Sequence, residues 1–197
     1  MMRKGYHYWT KTVTEDAAAL HRAFQHHDNG MKEMLMVAFL GALAAILQAA
    51  GGFLPGIGLF ISPLASAPII LGTVYSLRCG FLTYGVTVVV LMIIQPGELV
   101  IFPFTTGLLG IFLGFGLLRL KKRPGILVAG AAGLCAGIVL LLYVLHVPVL
   151  GPALSGSFQV RTFGILLLFC LAYSWLWVEL SLAGLRKLRK ILEMGVP

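Results

Sequence analysis

Apolar and polar positions along this chain fall into long blocks rather than short periods. After a mixed stretch at 1–30, six apolar runs follow one another at 34–50, 57–77, 79–94, 99–118, 125–147 and 162–185. Each is close to the roughly 20 residues that a helix needs to cross the hydrocarbon core of a bilayer. Turn chemistry separates them. Gly51, Gly52 and Pro55 follow the first run, and Gln95, Pro96, Gly97 and Glu98 follow the third. Arg119 with Lys121, Lys122 and Arg123 closes the fourth, and Pro148 closes the fifth. Pro63 and Pro68 lie inside the second run, which is parted from the third only by a turn expected around Arg78 and Gly80.

The leading block has helix signals of its own. Thr12 to Glu15 reads as a capping box, with Thr12 as N-cap and Glu15 at N3, and Asn29-Gly30 reads as a stop. Ala17, Leu20 and Phe24 share one helical face. The expectation is a short amphipathic helix on the inner membrane surface, held by that face and by Tyr6, Tyr8 and Trp9. The chain thus divides into a cytoplasmic or interfacial segment at 1–30, a six-helix membrane domain at 31–190 and a tail at 191–197.

Composition excludes an ordinary soluble domain. Apolar residues make up 59% and charged residues 11%, against about 45–50% and about 25% in soluble chains. The net charge of +8 is clustered between apolar runs, where topology signals belong, so it is not read as a nucleic-acid footprint. With the N-terminus inside, 14 of the 15 Lys and Arg residues fall inside and only Arg161 falls outside. The predicted class is an all-α integral membrane protein with six transmembrane helices, N-in/C-in. No secretory signal leads the sequence, so the first span is expected to be the insertion signal.

Reactive chemistry is sparse. No HExxH or P-loop pattern occurs, and both aspartates, Asp16 and Asp28, precede the spans. Ser155, Gly156 and Ser157 near His146 lack a nucleophile elbow and an orienting acid. Cys79, Cys135 and Cys170 show no CxxC spacing and read as small buried hydrophobes. His26 and His27 point apart on a helix, so with His21 they are not expected to hold a metal. Glu179 is the acid within a span, near an inner end where interfacial cations or water are in reach. The expectation is no enzyme, no cofactor and no energy source within the chain.

Polar side chains do gather at the outer ends of the spans. Gln48 and Phe53 close the first, Gln95 and Glu98 occupy the second outer loop, and Thr105 and Thr106 lie nearby. His146 ends the fifth, and Gln159 and Arg161 precede the sixth. A few polar groups in an apolar cup are the pattern of a small-molecule site. Arg161 can pair a substrate carboxylate or phosphate, or pair Glu98. A small-residue face in the first span, Ala38, Ala42 and Ala45 with Gly41, suits close helix approach, within the bundle or against another membrane protein. Gly107, Gly110 and Gly114, and then Gly130, Gly133 and Gly137, read as internal packing.

Over 32–190 the chain resembles an S component, the substrate-binding subunit of an energy-coupling factor (ECF) transporter. The resemblance rests on Ala38 and Ala42 in an AxxxA pattern after Lys32, and on the proline-rich stretch from Ser62-Pro63 to Ala67-Pro68. It rests also on the basic-glycine turn Arg78-Cys79-Gly80, and on Gly110 and Gly114 before a basic loop. The leading polar helix departs from the family's usual short tail. The resemblance implies capture of a vitamin or related micronutrient on the extracellular side of a bacterial or archaeal cytoplasmic membrane. It also implies a membrane partner, the T component, contacted by Ala38 and Ala42, and two ATPase subunits that alone use ATP. The alternative is a non-catalytic scaffold of the rod-shape-determining MreD type, which needs protein-facing surfaces but no polar cup. A membrane sensor with a basic tail is a third reading.

Overall fold

Hydrocarbon offers no partner to a backbone N–H or C=O, so long apolar runs satisfy themselves as helices. The computed structural model describes residues 15–25, 30–147 and 160–194, and its elements there are helices. They are α1 (Glu15–Gln25), α2 (Gly30–Phe53), α3 (Gly58–Tyr75), α4 (Leu77–Ile94), α5 (Pro96–Arg119), α6 (Arg123–Tyr143) and α7 (Val160–Met194). Six of them, α2 to α7, are long and apolar enough to cross a membrane. The shortest have 18 residues and rise about 27 Å at 1.5 Å per residue, close to the ~30 Å core of a bilayer. The chain is a multi-pass helical membrane protein.

The helix ends refine the sequence expectation. The glycine pair at 51–52 does not stop α2, which runs on to Phe53; the reversal comes at Gly56, whose φ of +78° suits glycine. Pro63 opens a 3-10 turn, Ser62–Ala65, inside α3, where its missing N–H is not needed. The break between α3 and α4 lies at Ser76, not at the Arg78–Gly80 turn. Ser76 is extended (φ −156°, ψ 152°) and its Oγ accepts from the Cys79 N–H at 2.9 Å, so it is an N-cap and the basic-glycine stretch is the first turn of α4. At the other end Gln95 alone separates α4 from α5, and Pro96 starts the new helix. Glu98 therefore sits in a helical first turn rather than a loop. α6 stops at Tyr143, and α7 extends past 185 into the expected tail, to Met194.

Lipid is as apolar as leucine, so helices in a bilayer associate through close contact and hydrogen bonds. Gly110 of α5 faces Ile69 of α3, and a Cβ there would lie 2.7 Å from the Ile69 Cβ. Gly130 of α6 faces Leu113 and the Ser174 hydroxyl in the same way, as the small-residue spacing predicts. The hydroxyl of Thr87 shares its proton between the Thr83 carbonyl of its own helix at 2.8 Å and the Gly41 carbonyl at 3.2 Å, touching α4 to α2. That of Ser66 donates to the Thr106 carbonyl at 3.1 Å, joining α3 to α5.

α1 differs from the helix expected to rest on the membrane by its apolar face. Ala17 and Leu20 are buried in the protein core with Leu113, Leu117, Val178 and Leu182. The ring of His21 anchors the helix from its polar side, with Nδ1 2.8 Å from the Tyr75 carbonyl and 3.1 Å from that of Val74. These carbonyls belong to the last turn of α3, which lacks helical partners for them. Thr12, Tyr6, Tyr8 and Trp9 lie outside the described residues. At the same end Arg123 lies 3.5 Å from Glu179, so the acid within the sixth apolar span meets a cation, as the sequence allows.

Candidate functional site

A polar cluster joins α2 to the start of α5. Gln48 is on α2, five residues before its end at Phe53, and is 2% exposed. Its Nε2 donates to Glu98 Oε2 at 2.7 Å, and its Oε1 accepts from the Thr106 hydroxyl at 2.8 Å. A carboxylate only accepts, so the amide must turn its NH2 toward Glu98 and its oxygen toward Thr106, which leaves Thr106 as donor. The next hydroxyl, Thr105, donates to the Ile101 carbonyl at 2.8 Å. Glu98 reaches Gln48 because α4 and α5 reverse within a single residue and because Gly51 leaves room: a Cβ on Gly51 would sit 2.9 Å from Glu98 Oε1.

These groups line a cavity of about 340 Å³. Ser62 and Pro63 of α3 border it, with Leu134 and Ile138 of α6 and Phe169 and Tyr173 of α7. Phe169 and Tyr173 stack at a centroid distance of 5.7 Å. The cavity lies at the bundle end that holds the reversals at 54–57 and 95, away from Arg78, Arg119, Lys121 and Lys122. Apolar side chains make up most of its remaining wall, and Glu98 is the only charged residue among the described residues that line it.

The sequence-predicted site residues separate into groups. Gln48 and Glu98 meet in the cavity. Gln95 lies beside it, its amide against Gly52. Phe53 is 59% exposed and takes no part in the lining. His146 is exposed beyond the end of α6, with a positive φ of 55°, and also stands apart. Gln159 is outside the described residues; Arg161 falls in the first turn of α7, and its side chain is not described. Ser62, Phe169 and Tyr173 escape sequence reasoning, because a hydroxyl beside a proline and two aromatics in an apolar run carry no signal of their own.

Elsewhere on α2, Ala38 and Ala42 are exposed, while Ala45 is fully buried within the bundle. Among the described residues no group of three His, Cys, Asp or Glu side chains is placed to hold a metal ion. No protein-family model, curated protein or solved structure matches this chain.

Proposed function

We propose that this protein is the substrate-binding subunit of an ECF-type importer, N-in/C-in in a bacterial or archaeal cytoplasmic membrane, with no catalysis of its own. The observation that carries this reading is the Gln48–Glu98–Thr106 cluster within an apolar-walled cavity. Such a buried polar group set is costly at membrane depth and is usually retained for a ligand or ion path. With the N-terminus inside, the cavity faces outward, as capture of a vitamin-like micronutrient requires. The sequence has no P-loop, so energy must come from partners: a T-component membrane protein and two ATPase subunits. The exposed pair Ala38 and Ala42 on α2 supplies a smooth face for the T component to approach closely. A scaffold would need outer faces but not this cavity.

Affinity isolation from native membranes in mild detergent, read by mass spectrometry, tests the proposal. The expected result is co-recovery of one further polytopic protein and two ATPases. Recovery of cell-shape proteins without an ATPase would replace it with the scaffold reading. Ala38→Trp should reduce recovery of the T component several-fold and leave binding in the cavity intact.

A further inference from the structure

Hydrogen bonds already made inside the protein restrict what the cavity can hold. The Thr106 proton is committed to Gln48, the Thr105 proton to Ile101, and one Gln48 N–H to Glu98. What remains facing the cavity is Glu98 Oε1, hydroxyl lone pairs and a second Gln48 N–H, with the Ser62 hydroxyl free to act either way and the Tyr173 oxygen already accepting from the Trp177 indole N–H. The described lining is thus rich in acceptors, and its sole charge is negative. A carboxylate among apolar walls lacks the solvation it has in water, and a cation placed against it restores that loss. An anion would meet repulsion in a medium that screens it poorly. The stacked rings of Phe169 and Tyr173 add a wall that attracts cations over its π faces.

Resting on the reading of this cavity as a substrate site, we propose that its ligand is a compact, flat organic cation bearing N–H donors, such as an amidinium or a protonated amino-heterocycle. Glu98 takes the charge, and the Phe169 and Tyr173 rings take the flat body. A volume of about 340 Å³ suits a molecule of one or two rings, near the lower end of the roughly 300–1,000 Å³ typical of ligand sites.

The test uses the full chain in lipid nanodiscs and titration calorimetry with three probes of one shape: benzamidine, neutral benzamide and anionic benzoate. Saturable benzamidine binding is expected, with the other two at least about tenfold weaker. Glu98→Gln should lower benzamidine affinity about tenfold or more, and Glu98→Asp, which keeps the charge, should lower it less. Thermal denaturation of each variant confirms that the bundle is intact. Benzamide or benzoate binding as tightly as benzamidine, or an unchanged affinity in Glu98→Gln, would overturn the cationic class while leaving the cavity as a binding site. Failure of all three probes to bind would also overturn it, and the transporter reading would then be decided separately by recovery of the ATPases.

Discussion

Gln48 ties two polar groups of α5 to α2. Its amide joins the Glu98 carboxylate to the Thr106 hydroxyl across two helices, and it is itself almost fully buried. Replacing it with leucine keeps the volume but leaves both partners without that bond. A loss of about 1–3 kcal/mol is expected for an orphaned buried group, measured by equilibrium denaturation in mixed micelles, along with weaker ligand binding. A glycine pair makes a sharper contrast. Gly110→Ala puts a methyl into Ile69, which is fully buried and cannot withdraw; overpacking of this kind costs about 1–3 kcal/mol. Gly85 on α4 has open space where its Cβ would lie, so Gly85→Ala should be neutral or stabilising by up to about 1 kcal/mol. If both substitutions behaved alike, close approach at Gly110 would not be what holds α3 to α5.

At the scale of the element, the helices are legible and their ends less so. The six apolar runs predict all six spans, because length and hydropathy decide them. The ends depend on capping, which one residue can settle: Ser76 takes the α3–α4 boundary from the expected Arg78–Gly80 turn by accepting the Cys79 N–H. Ser76→Ala should cost about 0.5–2 kcal/mol, as lost N-caps do, read in the same denaturation assay. A wild-type midpoint would remove Ser76 from this role. The placement of α1 was only half legible. Its apolar face is plain in the sequence, but a face alone does not say whether lipid or protein covers it. The His21 contact to the Tyr75 carbonyl joins residues far apart in sequence, and no local pattern encodes it. The site divides along the same line. Gln48 and Glu98 stand out as polar residues at span ends, whereas Phe53 and His146 also sit at span ends and lie outside the cavity. Phe53 lies at the very end of α2 with its side chain exposed, and His146 lies beyond the end of α6 in a left-handed conformation, and neither position is marked in the local sequence.

For the whole molecule, the decisive quantity is which way the bundle sits. The basic residues at 119–123 and 186–190 gather at one end and the cavity lies at the other; the proposed N-in/C-in topology, which follows the positive-inside rule, turns the first toward the cytoplasm. His146 and Lys121 are both exposed and mark the opposite ends of α6 and its preceding turn. Single cysteines at these positions, in a chain whose Cys79, Cys135 and Cys170 are replaced by alanine, report orientation directly. A membrane-impermeant maleimide applied to intact cells should label His146→Cys and spare Lys121→Cys until the membrane is permeabilised. The reversed pattern would turn the cavity toward the cytoplasm. Glu98 would then face a compartment from which an importer releases its cargo rather than captures it, and the direction of the proposed transport would fall with the topology.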